Sequence, residues 1–335
     1  MRSPRRVSAR TAAVLAVALG STLAAADSLA QMQAWKPEKT VELVVGTSPG
    51  GGNDRMARTI QKIWQERKLL DAPSIVVNKP GGGGAIGYGY LNQHAGDGHY
   101  LMIATATLLT SHLTGRSAYS HNDVTPLAYL FDDYVALAVR ADSPFKTARN
   151  LLDELKKDPA SISVGVATSL GNHNHVALAL AAKAAGADVR RMKIVVFQST
   201  GDAKTALLGG HVSAIMSAPS TLAPQMQSGA VRSLATSSRR RLPGVFAEVP
   251  TWTEQGFDSV VVNWRIVVGP KGMGPAQIAY WDGVFARLAR DEEWRKGVER
   301  QLWVNNYLDS RESRRYMEAQ YELLRTLLSD LGLVK

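Results

Sequence analysis

No cysteine occurs in the 335 residues, so disulfides, thiolate nucleophiles and cysteine-bound metals are excluded. Aromatic residues make up only 7% of the chain. No basic stripe interleaved with them is present, which argues against nucleic acid as a partner. There is no G-x-x-x-x-G-K-[ST], hence no phosphate loop of the Walker type. No fixed-period repeat and no low-complexity tract occurs. His173-Asn174-His175 has no acidic residue or third histidine near it in sequence, whereas a zinc site needs three or four ligands. These histidines read as the first turn of a helix capped by Asn172. No metal, no cofactor and no catalytic residue is expected.

What is there describes an ordinary globular chain, 45% apolar and 20% charged, long enough for two domains. The net charge is +10, and setting aside Arg2, Arg5, Arg6, Arg10 and Asp27 lowers it to +7. Such a surface steers anionic partners. The stretch MRSPRRVSAR is a basic n-region and TAAVLAVALGSTLAAA an apolar h-region, with small residues offering cleavage after Ala26 or Ala30. Spanning a bilayer takes about 18–20 apolar residues, and this run is shorter. Residues 1–30 are therefore expected to be a cleaved signal peptide and the mature chain to be periplasmic. Nothing after residue 31 is expected to cross a membrane.

The remainder alternates β-branched runs with helical patterns, as an α/β fold does. Strands are expected at Val41–Val45, Ser74–Asn78 and Tyr100–Thr105. Leu127–Phe131 and Val135–Val139 follow, either side of an Asp132-Asp133 turn. Residues 54–68 are expected to be helical, with Met56, Ala57, Ile60, Ile63 and Trp64 on one face. A second set follows: strands Ser163–Ala167, Lys193–Phe197, Ser213–Met216 and Val231–Ala235, with helices 147–157, 174–185, 202–208 and 219–227. A strand-like run, Val260–Val268, precedes helices 275–289 and 310–331. Long strand-like runs near residues 135 and 262 suggest two lobes joined by two crossings. Their cleft would face the carboxyl ends of strands, where open α/β sheets bind ligands. The expected lobes are 31–138 with 263–335, and 139–262.

Two motifs imitate enzymes. Gly46 to Gly50 spells G-x-S-x-G after a strand, the pattern of a hydrolase nucleophile elbow built on Ser48. The residue after that serine should donate its N–H to the oxyanion, and here it is Pro49, which has none. Such a loss costs on the order of 3 kcal/mol of transition-state stabilisation. Gly82 to Gly87 spells G-x-G-x-x-G, but the acidic residue wanted about 20 positions on is missing. Ala104-Thr105-Ala106-Thr107 stands there instead. A serine hydrolase remains the enzyme alternative.

The glycine-rich turns have another use. Each follows a strand and opens a helix, so its amides gather at a positive helix N-terminus. Glycines let successive N–H groups converge on an anion. Ala167 to Asn172 and Gln198 to Asp202 repeat the arrangement in the second half. Small donors at strand ends of two lobes describe a binding cleft for an oxyanion.

These segments resemble the extracytoplasmic solute receptors of tripartite tricarboxylate transporters, also called the Bug family. The likeness covers residues 35–335. It is carried by Pro49 to Asp54 with Ala57-Arg58, by Val77 to Gly84 with Ile86-Gly87, and by Asp97-Gly98-His99-Tyr100-Leu101. Gly171 to His175 and Leu207 to Val212 add second-lobe signatures. Phe197 to Asp202 differs from the commoner Tyr-Lys-Gly form. The resemblance implies a type II periplasmic-binding-protein fold, two α/β lobes closing on a small organic carboxylate. It implies a monomeric receptor that delivers its ligand to integral-membrane transporter subunits, or alternatively a sensor feeding a signalling protein. Carried over residue by residue, it places Ser48, Gly51, Gly52, Asn53 and Asp54 at the ligand, with Gly83, Gly84, Thr105 and Thr107. From the second lobe come Ser169, Gly171, Asn172, Thr200 and Gly201. Asp54 either caps its helix or reaches a polar group of the ligand.

Overall fold

A computed structural model describes residues 35–50, 52–167, 169–197 and 199–335. The expected signal peptide, Gly51, Thr168 and Gln198 lie outside the described residues.

Three parallel strands begin the chain: β1 (Val41–Val45), β2 (Ser74–Asn78) and β3 (Tyr100–Ala104). Val45 pairs with Asn78 on one side and Ile103 on the other, so the three strands end level. The apolar run of β1 is buried on both faces, as a central parallel strand requires. Between these strands lie α1 (Gly52–Glu66) and α2 (Ala85–Asn92). The predicted face of α1, Met56, Ala57, Ile60, Ile63 and Trp64, is buried. Trp64 lies 5.7 Å from Trp281 and 5.8 Å from Phe285 of a later helix. Next come α3 (Thr107–Leu113) and β4 (Val124–Asp132).

The chain then changes sheets. β5 (Ala136–Arg140), β6 (Ser163–Ala167), β7 (Lys193–Phe197), β8 (Ala214–Ser217) and β9 (Val231–Thr236) form a second sheet in the order β7-β6-β8-β5-β9. The helices α4 (Ala148–Lys157), α5 (His173–Ala184), α6 (Thr200–Leu208) and α7 (Pro219–Gln227) connect its strands. The chain returns through β10 (Arg265–Pro270), α8 (Pro275–Arg290), α9 (Glu292–Arg300), β11 (Val304–Leu308) and α10 (Ser310–Asp330). The first sheet is completed in the order β11-β4-β10-β3-β1-β2.

The structure differs from expectation at three places. The strands either side of Asp132-Asp133 belong to different sheets, so the two aspartates open the first of the two crossings suggested by the run near residue 135. The run Val260–Val268 is strand only from Arg265 onward. Its first half is the return crossing, with Val262 bridged to Tyr134 and the Asn263 N–H donating to the Asp133 carbonyl at 2.7 Å. β11 was not anticipated, since Val-Asn-Asn-Tyr-Leu has no apolar alternation.

The crossings are bolted by a buried ion pair, Arg265 to Asp133 at 3.3 Å. Burial pushes the Asp133 carboxyl up to about 6 and the Arg265 guanidinium down. Leu108, Leu109, Val176, Leu178, Met317, Leu324 and Leu328 share one apolar core, so α10 bridges both lobes. Its end is held to the second lobe by Lys183, 2.6 Å from the Asp330 carboxylate, and by Arg190, which donates to the Asp330 carbonyl. Among the described residues no helix is long and apolar enough to cross a membrane.

Candidate functional site

The loop after β1 is built around one carboxylate. Asp54 is buried, and its Oδ2 accepts from the Gly50 N–H at 2.9 Å and from Arg58 Nε at 3.0 Å. Its Oδ1 accepts from Asn78 Nδ2 at 3.0 Å, and the same amide donates to the Thr47 carbonyl. The bond from Arg58, helped by those from Gly50 and Asn78, holds this carboxyl down to about 2. Both oxygens are thus engaged inside the protein, and Asp54 shapes the loop. Thr47, Ser48, Pro49 and Gly50 are left exposed. Ser48 lies in an open loop, with α1 starting four residues later, so the tight strand-to-helix elbow of a hydrolase is not formed.

The loop after β2 is wedged beside it. Gly81 to Gly84 all have positive φ, values that side chains rarely tolerate, and the Gly84 N–H donates to the Gly81 carbonyl at 3.0 Å. A Cβ on Gly46 would lie 3.0 Å from the Gly84 Cα, and one on Gly83 would lie 3.0 Å from Ser111 Oγ. Backbone packing therefore presses this loop between loop one and α3. Thr105 Oγ1 accepts from the Thr107 N–H at 3.3 Å and keeps its own hydrogen to donate. Ser48, Gly52, Asn53, Gly83, Gly84, Thr105 and Thr107 thus share one end of one sheet.

The second lobe is used differently. The Ser169 N–H donates to the Ala167 carbonyl, and the Gly171 N–H to His175 Nδ1 at 2.9 Å. Asn172 Oδ1 accepts from the His175 N–H at 3.0 Å, while its amide nitrogen donates to the Ala167 carbonyl. Burial holds the His175 ring down to about 4, which keeps Nδ1 bare to accept. Gly171 is buried, and a Cβ there would meet Leu328 of α10 at 3.2 Å. Arg116 donates to the Leu170 carbonyl, so this loop docks on the other lobe. Thr200 and Gly201 open α6, which Ser199 caps by accepting from the Asp202 N–H at 3.1 Å. They follow an edge strand, three places from β5 in the sheet order.

The donor set splits accordingly. The amides of Gly50, Gly84, Thr107, Ser169 and Gly171 serve internal acceptors. The hydroxyls of Ser48, Thr105, Thr107 and Ser169 stay available in type, with the first-turn amides of α1 and α6. The structure adds a residue that sequence reasoning missed. Ser217 ends β8, opposite Ala136 at the first crossing, and its buried hydroxyl has no partner among the described residues. No glycine or motif marks it; only strand order brings it to the crossing. Among the described residues no group of three or more His, Asp or Glu is arranged to hold a metal.

Known proteins share this architecture. The family model described as tripartite tricarboxylate transporter family receptor matches residues 56–333. A UPF0065 protein from the gbd 5' region of Cupriavidus necator is 27% identical over 308 residues, covering 91% of this chain and 92% of that one. The crystal structure of a TctC solute-binding protein from Polaromonas is 27% identical with a TM-score of 0.72, over 88% of this chain and 99% of that one. A protein of R. palustris solved with adipate has a TM-score of 0.77 at 20% identity, over 88% of this chain and 98% of that one. These likenesses establish a periplasmic-binding-protein fold of two α/β lobes. The chain belongs to the tripartite tricarboxylate transporter receptor family, and it is a substrate-binding receptor, not an enzyme.

Proposed function

We propose that the protein is exported to the periplasm and captures a small di- or tricarboxylate between its lobes as a monomer. It then hands the ligand to the membrane subunits of a tripartite tricarboxylate-type transporter. The bodies that close are the two lobes, with β5 (Ala136–Arg140) moving whole with the second, so the first boundary falls before residue 136 and not at the expected 138. The observation that carries this reading is the packing of loop one, loop two and the start of α3 around the level ends of β1, β2 and β3. Ser48, Gly52, Asn53, Gly83, Thr105 and Thr107 then face the carboxylate from one lobe, and Ser169, Thr200 and Gly201 from the other. Gly84, Gly171, Asn172 and Asp54 hold the loops in shape. Helix N-termini and hydroxyls stabilise carboxylate charge without a catalytic group. The adipate held by the R. palustris protein supports a dicarboxylate.

Purified mature protein should melt higher with one or more of succinate, malate, adipate and citrate. A ligand at a hundred times its Kd stabilises a folded receptor by about 2.7 kcal/mol. An unchanged melting temperature across all four would overturn this reading.

A further inference from the structure

A cavity of about 520 Å³ lies against the two crossings; Ala106 and His173, at the starts of α3 and α5, line the end nearest the candidate carboxylate residues, and none of Thr47–Asp54, Gly81–Gly84 or Thr200–Gly201 lines it. Its floor brings together Tyr129 and Asp132 of β4, Tyr134 of the first crossing, Asn306 of β11 and Tyr316 of α10. Its flank is apolar, with Val176 and Leu180 of α5 across from Leu324 and Leu327 of α10. Its size and its apolar wall with a few convergent polar groups are those of a small-molecule site.

The floor itself carries no cationic side chain, while the charge of Arg239 at the mouth reaches Tyr134 and Tyr316 and that of Arg265 reaches Tyr129 and His173. Asp132 is only 7% exposed. It accepts from the Tyr129 hydroxyl, from the Tyr134 hydroxyl at 2.9 Å and from Asn306 Nδ2 at 3.3 Å. All three donors are neutral, and no ion pair among the described residues includes Asp132. Hydrogen bonds satisfy its lone pairs without balancing its charge, and buried charge is ordinarily paired. His173 also lines the cavity, and its Nδ1 is buried without a partner among the described residues. Burial keeps this ring neutral at ordinary pH, so it can accept a hydrogen bond and does not repel a cation. Tyr129 and Tyr316 pack edge to face at 4.8 Å, and the Tyr129 and Tyr134 hydroxyls point at the carboxylate. An anion would meet the Asp132 charge, and a neutral molecule would leave it unbalanced. Arg239 and Asp258 stand at the exposed mouth.

We propose that this cavity is a second binding site, for an organic ammonium with an apolar body. The ammonium lies toward Asp132, the tyrosines and His173, and the hydrocarbon between α5 and α10. The walls come from both lobes, so occupancy is coupled to any ligand that moves the lobes, and the coupling is reciprocal. The proposal stands independently of the carboxylate reading.

Calorimetric titration of the full mature chain with hexylammonium, 1-hexanol and hexanoate tests it. Hexylammonium should bind at least tenfold more tightly than hexanol, and hexanoate should not bind in this cavity. Asp132→Asn should weaken hexylammonium at least tenfold. Leu180→Trp, which fills the apolar flank, should abolish hexylammonium binding while leaving any melting shift by carboxylates in place. If Asp132→Asn does not fold, the comparison of amine with alcohol and the Leu180→Trp titration decide. Equal affinity for amine and alcohol, or undiminished binding by a folded variant, overturns the site. So does an amine Kd that rises without limit as carboxylate is added, which would mean one shared pocket.

Discussion

Asp54 holds the loop proposed to face the carboxylate in place, with one bond each from Gly50, Arg58 and Asn78. Asp54→Asn removes the charge that Arg58 and the Gly50 amide favour. It should cost about 1–3 kcal/mol in urea denaturation and weaken carboxylate binding by about tenfold. The carboxyl is held at about 2 in the folded chain, below its ordinary 3.8. Its contribution is therefore full above about pH 4 and is lost as the pH falls toward 2. The variant should flatten that part of the stability profile. His175 acts in a higher window. Its ring, lowered to about 4, stabilises the fold fully above pH 6.5, and that contribution is lost as the pH falls toward 4. His175→Gln should remove about 3 kcal/mol of acid-dependent destabilisation from this window, read as melting temperature against pH. Asp54 was visible in the sequence as a residue of interest. Its role was not, because its partner Asn78 lies 24 positions away and no local pattern links them.

Among the elements, the glycine-rich strand-to-helix turns were the most legible. Glycine after an apolar strand, followed by a helical pattern, marks a strand-to-helix turn whatever surrounds it. Gly84 sits at φ +98°, and a Cβ there would lie 3.2 Å from Tyr88 Cε2. Gly84→Ala should cost about 1–2 kcal/mol in left-handed strain. It should push α2 away from loop one, so that circular dichroism stays unchanged while carboxylate affinity falls in titration. Strand pairing was less legible. Leu127–Phe131 and Val135–Val139 read as strands either side of a turn, since Asp is a turn former, and nothing local says that they join different sheets. The true partner of Asp133 is Arg265, 132 positions further on. β11 pairs at an edge and exposes Val304, Asn305 and Asn306, so it leaves little apolar signal.

Across the whole molecule, the Asp133–Arg265 pair sits where the lobes meet. Arg265→Met alone strands a buried carboxylate and should cost about 3–5 kcal/mol in denaturant unfolding. The double variant Asp133→Asn with Arg265→Met should recover more than half of that loss. If the two substitutions were simply additive, the pair would not be a coupled bolt. The two-lobed plan itself was readable from the alternation of strands and helices. Which loops would face the gap and which would dock across it was not. Leu170 and Gly171 lie in a loop with the composition of an anion loop, yet they pack against Arg116, Thr114 and α10.

The central position of β10 has a consequence for how the polypeptide acquires its shape. It lies between β4 and β3, so the first sheet stays in two pieces until residue 265 has been made. The strands of the second sheet lie between residues 136 and 236 and pair with no later strand of the first sheet. A chain halted before β10 should thus protect its middle from protease while its first 132 residues are digested. On that expectation the molecule matures from its middle outward, its opening third staying protease-sensitive until β10 is made.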